Sequence, residues 1–178
     1  TWDDHEVENN YANLNPQDPI DAAGFAERRA AAYQVWWEHM PVRLAPPVDE
    51  NLSIYRQVQW GGLINMLVLD GRQYRNDQAC GDAVLQLTPA CEEASLSDRT
   101  MLGTQQETWV AENVVSDSTW TVLANQTVMT DIRLGAAILN YDQWDGYAPS
   151  RDRLLDAVDT AQAKNLIVLT GDIHLAGV

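Results

Sequence analysis

Asp172 and His174 stand two residues apart, directly after the apolar run Leu166-Ile167-Val168-Leu169. That run is short, rich in β-branched residues and bounded by polar ones, the pattern of a buried strand. Gly171 allows the chain to turn, and residues two apart in extended backbone point to the same side. A carboxylate and an imidazole are therefore expected side by side at a strand end, where α/β folds bind ligands. Alone, an Asp-x-His pair is a weak signal. The opposite end of the chain strengthens it, because Asp3, Asp4, Glu6 and Glu8 surround His5. Such a run is either a solvated loop or a cation site.

Both sets combine hard oxygen donors with imidazole, which is what a two-metal hydrolase requires. Carboxylates there flank two cations about 3.5–4 Å apart, which activate water and stabilise the leaving oxygen. A histidine that is not a ligand can protonate the leaving group. The excess of Asp over His favours oxygen-preferring ions such as Ca²⁺, Mg²⁺ or Mn²⁺. Arg72 follows a second apolar run within Asp70-Gly71-Arg72-Gln73-Tyr74-Arg75. Its guanidinium could hold a substrate phosphate bidentately; the alternative is an ion pair in an acidic protein.

The chain has 178 residues, enough for one domain with a sizeable core, and 46% of them are apolar. Its 11 Lys and Arg against 26 Asp and Glu give a formal charge of −15. That balance disfavours specific nucleic-acid binding, which draws its affinity from basic side chains. A small anionic substrate remains compatible, since bound cations reverse the local field. No apolar stretch approaches the roughly 20 residues of a membrane span, and no signal peptide is visible within the chain. Cys80 and Cys91 are too far apart for a CxxC motif. A disulfide between them suits an exported protein and not a cytosolic one, so this pairing stays open on sequence alone.

Several elements must position these residues. Residues 25–40 read as a helix, with Phe25, Ala32, Trp36 and Met40 on its apolar side and Pro41 ending it. Residues 52–60 alternate as a half-buried strand, Gly61-Gly62 signals a hairpin, and residues 63–69 form a central strand. Thr104 and Glu107 match a capping box opening a helix of about ten residues with Trp109 and Val110 inward. Residues 120–124 read as a strand with Val122 central. Ser150 is expected to cap a helix over 151–164 whose inner face carries Leu154, Leu155, Val158 and Ala161. The alternation of helices and strands points to a layered α/β domain.

The segment Trp2-Asp3-Asp4-His5-Glu6 resembles the W-D-D-H-E motif of PhoD-like alkaline phosphatases and phosphodiesterases. The likeness continues through Asp70-Gly71-Arg72-Gln73-Tyr74-Arg75, Cys80-Gly81-Asp82, Arg99-Thr100-Met101-Leu102-Gly103 and Gln105-Gln106-Glu107-Thr108-Trp109. It resumes at Trp144-Asp145-Gly146-Tyr147 and Arg153-Leu154-Leu155 and closes at Gly171-Asp172-Ile173-His174. The family is similar to calcineurin-like metallophosphoesterases: Asp4-His5-Glu6 takes the place of their Asn-His-Asp/Glu, and Gly171-Asp172-Ile173-His174 that of their Gly-His-x-His.

By this resemblance Asp4, Asp172 and His174 are metal ligands and His5 is the general acid. The implied cofactors are Ca²⁺ and Fe³⁺, other divalent cations also being accommodated, and the implied location is extracytoplasmic, periplasmic or secreted. The implied fold is an α/β layered metallophosphoesterase-like sandwich of mixed β-sheets flanked by helices, incomplete at its N-terminal side. Residues 1–178 would then be the middle-to-late part of a single catalytic domain, inactive alone. The implied reaction is hydrolysis of a small phosphate mono- or diester by a metal-activated hydroxide. Alternatives are a phospholipase D-type activity of the same family and a non-catalytic, cation-binding extracellular module.

Overall fold

The computed structural model describes residues 1–82 and 89–173. Its centre is a four-stranded sheet of β1 (Arg56–Trp60), β2 (Ile64–Val68), β3 (Trp120–Ala124) and β6 (Leu166–Leu169), in the order β1-β2-β3-β6. β1 and β2 form the expected antiparallel hairpin through Gly61-Gly62, pairing Val58 with Met66. β2, β3 and β6 run parallel, with Met66 opposite Val122 and Val122 opposite Ile167. Parallel neighbours need crossovers. Here the first passes through α2 (Gly103–Asn113) and the second through α3 (Ala148–Thr160). Two-residue strands β4 (Arg133–Leu134) and β5 (Ala137–Ile138) form a separate hairpin. The mixed sheet and flanking helices are the α/β class expected.

Both crossover helices lie on one face of the sheet. Leu67, Leu69 and Leu123 share that face and pack with Val110 of α2, with Val114 just after it, and with Leu154 and Val158 of α3. Trp144 and Tyr147 close this core. By strand alternation the opposite face carries Val58, Trp60, Met66, Trp120, Ile167 and Leu169. Trp60 is 73% exposed and Leu169 50%. Two expectations are corrected here. Residues 52–60 form a strand only from Arg56, and that strand is largely exposed at the sheet edge. β6 is likewise half-buried rather than buried, because it has a partner on one side only among the described residues.

A second cluster joins Trp2, Val7, Tyr11, Phe25, Tyr33, Trp36, Leu52 and Ile54. Helix α1 (Phe25–His39) enters it through Phe25, Arg29, Tyr33 and Trp36, a stripe at 4-4-3 spacing. Arg29 was not expected inside. It is buried because Asn13 accepts its Nη1 through both the backbone oxygen (2.8 Å) and Oδ1 (3.2 Å). Met40, assigned to the apolar side, is exposed.

Helix starts also differ from the pattern. Thr104 does not cap α2. Thr100 Oγ1 instead accepts Gly103 N–H at 2.8 Å and donates to Glu107 at 2.6 Å. Gly103 itself has φ +73° and lies where a Cβ would meet Tyr74 Cβ at 2.9 Å, so only glycine fits. Ser150 sits within the first turn of α3 rather than capping it, and donates to Glu107 at 2.6 Å. Leu155 faces outward at 40% exposure. Cys80 and Cys91 are joined in a disulfide with a Cα separation of 5.8 Å. It ties the turn Ala79–Gly81 to the turn Glu92–Ser95.

Glu107 is the polar joint between α2 and α3, taking two further bonds from the Arg153 guanidinium at 2.8 Å each. Burial works to raise its pKa, but bonds from Arg153, Ser150 and Thr100 outweigh it and hold the carboxyl below its ordinary value. A lowered folded-state pKa stabilises above the unfolded value, ~4.3, and that contribution is lost as pH falls through the folded value. Glu107→Gln is therefore expected to cost about 1–3 kcal/mol at neutral pH. It should also flatten the loss of stability as pH falls from neutral to below the unfolded value of ~4.3. Urea unfolding of the full-length protein across that pH range checks this.

Candidate metal centre

The three parallel strands β2, β3 and β6 end at one edge of the sheet. Their continuations, Asp70, Asn125-Gln126 and Thr170-Gly171-Asp172, therefore gather there. The N-terminal segment is laid across the same edge. Thr1 Oγ1 donates to Leu69 O at 3.2 Å and accepts from Gln126 Nε2 at 2.6 Å. The Trp2 indole stacks on Tyr33 with centroids 4.1 Å apart, and its Nε1–H donates to Asp70 Oδ1 at 3.2 Å. Trp2 thus fixes the backbone that carries Asp3 and Asp4.

Asp70 is fully buried and holds this corner together. It accepts from the backbone N–H of Arg72 at 3.0 Å and of Gln73 at 3.1 Å. Gln106 brackets it from α2, accepting Asp70 N–H and donating to Asp70 O, both at 2.9 Å. Burial pushes the Asp70 carboxyl up against the hydrogen bonds it receives.

Asp3, Asp4 and Asp172 converge at this edge, with one carboxylate oxygen from each lying within 4.8 Å of the others. Asp4 is buried, and its Oδ2 accepts Asn10 N–H at 2.9 Å. Asp172 adopts φ +67°, and its Oδ2 accepts the side-chain amide of Gln143. The other end of that amide, Oε1, accepts Val128 N–H, so Gln143 clamps Asp172 to the loop after β3. Burial raises the Asp3 carboxyl to about 6; Arg72 opposes the shift, and the charges of Asp4 and Asp172 add to it. Crowded carboxylates of this kind relieve their repulsion by binding a proton or a cation. Three oxygen donors fit a hard cation of the Ca²⁺, Mg²⁺ or Mn²⁺ type. Nothing in this trio selects iron, since its donors are all carboxylates.

His5 lies beside the trio with its Nε2 3.7 Å from Asp4 Oδ2 and its side chain 72% exposed. Asp4, His5 and Asp172 together line a cavity of about 390 Å³. Asn9, Val128, Ile132, Leu139, Gln143 and Asp145 contribute to the same wall. Of the residues expected to form the site, Asp4, Asp172 and His5 are thus brought together; His174 lies outside the described residues.

Arg72, expected either to hold a substrate phosphate or to form an ion pair, has a side chain that is 0% exposed. Nε donates to Asp3 Oδ1, and Nη1 and Nη2 donate to the two oxygens of Asp142, each at 2.7 Å. Asp142 also takes Arg75 Nη2 on Oδ1, Arg75 Nη1 on its backbone oxygen at 3.1 Å, and Gln78 Nε2 at 2.9 Å. Burial would raise the Asp142 carboxyl, but Arg75 and Arg72 hold it well below the usual carboxylate range. The ion-pair alternative for Arg72 is the one observed, with a consequence: the pair orients Asp3.

Three residues of the candidate site escaped the motif reading. Asp3 was counted among the acidic residues but not assigned as a ligand, and its signal was adjacency to Asp4. Asp142 and Gln143 lie in the aromatic loop before α3, about 30 residues from Asp172, and no local spacing links them to the site. Glycine at position 146 was visible in the motif and is required there. A Cβ would fall 2.1 Å from Tyr141 O, so only glycine lets this loop fold over the site.

The PhoD-like phosphatase family matches residues 1–178. Alkaline phosphatase D of Bacillus subtilis (strain 168) is 42% identical over 179 residues, covering 98% of this chain and 30% of that protein. A solved structure titled "Structure of PhoD" superposes with a TM-score of 0.90 at 41% identity, covering 98% of this chain and 34% of that one. The chain thus spans about a third of the length of the relatives it matches.

Asp142→Asn removes the charge facing two buried guanidinium groups. Breaking a buried pair in this way is expected to cost about 3–5 kcal/mol, read by urea unfolding of the full-length protein. Arg72→Lys keeps the charge but loses the two-pronged bond, and should fall between the two.

Proposed function

The chain belongs to the PhoD-like phosphatase family, and from that premise we propose that it is the middle-to-late part of one catalytic domain that hydrolyses small phosphate esters. One observation carries the reading. Asp3 and Asp4 meet Asp172, some 170 positions away, at the carboxyl edge of a parallel sheet, and Asp4 and Asp172 line a cavity with His5. That edge is where α/β sheets place their ligands.

Asp3, Asp4 and Asp172 would hold a hard cation such as Ca²⁺, with His174 a further ligand and Fe³⁺ the second ion of the pair. Cations held there would supply positive charge against a phosphoryl group and would make a water nucleophile available at neutral pH. This chain's own residues do the rest. Arg72 sets the orientation of Asp3, the Asn10 N–H that of Asp4, and Gln143 that of Asp172. His5 stands at the rim with an exposed imidazole and delivers a proton to the departing alkoxide. The cavity behind it holds the ester. The disulfide between Cys80 and Cys91 supports an extracytoplasmic working location, where such bonds persist.

The full-length protein carrying these residues tests the roles separately. Asp172→Asn should lower bound metal, measured by elemental analysis, and abolish hydrolysis of p-nitrophenyl phosphate. His5→Ala should keep its metal and lose roughly 10²–10⁴-fold in kcat. Loss of metal in that variant would make His5 a ligand, and full turnover would remove it from the chemistry. A metal-loaded protein that hydrolyses no phosphate ester would overturn the reading.

A further inference from the structure

The cavity beside the three carboxylates is larger than a phosphate requires, at about 390 Å³, and its remaining wall has a distinct chemistry. Val128, Ile132, Leu139 and Ile173 supply aliphatic surface. Among the described side chains, no lysine or arginine lines it. Most of its polar groups are already engaged. Gln143 is bonded at both ends, to Asp172 and to Val128 N–H. Asn9 Nδ2 donates to Gln17, and Asn140 Oδ1 accepts Asp142 N–H at 2.9 Å. Asp145 Oδ1 accepts Arg151 at 2.8 Å and its Oδ2 accepts Ile132 N–H at 2.7 Å.

Resting on the phosphoester reading above, we infer that this wall is a specificity subsite for the alcohol portion of the ester, which it selects to be uncharged and apolar, such as an aryl or short alkyl group. The phosphoryl group belongs at the carboxylates and their cation, so the rest of the substrate must occupy the aliphatic part of the same cavity. An apolar group there replaces water against Val128, Ile132, Leu139 and Ile173. A second anionic group would be desolvated with no lysine or arginine among the described side chains to meet it and few free donors to receive it. Hydrophobic pockets discriminate by roughly tenfold or more per missing or misplaced group. The selection therefore acts on leaving groups of equal reactivity.

The test uses the metal-loaded, full-length enzyme and two substrates of similar leaving-group acidity, phenyl phosphate and 4-carboxyphenyl phosphate. The expected ratio of kcat/KM is roughly tenfold or greater in favour of phenyl phosphate. Leu139→Lys and, independently, Ile132→Lys each bring a cation to the wall and should narrow or invert that ratio. Metal content is measured in parallel, so that a damaged centre is recognised, and two positions guard against one variant failing to fold. Equal kcat/KM for the two substrates in the unmodified enzyme, with turnover otherwise intact, overturns the subsite alone. A ratio unmoved in both folded variants does the same. Failure to hydrolyse either ester overturns the hydrolase reading, and the subsite falls with it.

Discussion

The buried carboxylate of Asp142, gripped by Arg72 and Arg75, is the interaction on which the site depends. Each of the three side chains is at most 1% exposed. Charges so placed are tolerated when paired and hydrogen-bonded, and both oxygens of Asp142 are engaged, by the two guanidinium groups and Gln78. The arrangement leaves Arg72 Nε pointing at Asp3. Asp142 thereby sets the direction of a carboxylate 139 positions earlier. Its neighbour Gln143 does the same for Asp172. One dipeptide in the loop before α3 aligns both halves of the trio.

The rest of the architecture serves that alignment. Parallel pairing of β2, β3 and β6 brings three chain continuations to one edge, as no antiparallel arrangement of the same strands would. The aromatic cluster under Trp2 then holds the N-terminal segment across it. Trp2 serves twice: its face stacks on Tyr33 and its N–H satisfies the buried Asp70. A tryptophan with an apolar body and one polar contact suits such a junction. The site is therefore built from segments far apart in sequence, each tied to a rigid element.

The helix joints show where pattern reading stops. Thr104 and Ser150 each carry a side chain that could cap a helix, and each sits at the right distance from an apolar stripe. Neither does so, because Glu107 is drawn instead to Arg153, Ser150 and Thr100 across the α2–α3 contact. A tertiary hydrogen-bond set outweighed the local capping box. Arg29 is a similar case. Its position reads as polar surface until Asn13, brought over from the preceding loop, gives it partners inside.

What the residues determined by themselves was the order of the elements, together with an expectation about the chemistry. Carboxylates and imidazole in short motifs after apolar runs raise the expectation of a cation site, since those donors are what hard cations need. Proline, paired glycines and apolar periodicity marked α1, the β1–β2 hairpin, the central strand β2 and β3, because local backbone preference acts over a few residues. The motifs also carried the family resemblance, which comparison established. What only the tertiary structure decided was which charges are free and which are spent. Arg72 became a buried positioning residue, Asp3 joined the trio, and Asp142 and Gln143 acquired their roles. Those outcomes depend on pairings across 69, 70 and 29 positions. Electrostatic partnership is a matter of distance in space, and local spacing along a chain holds no record of it.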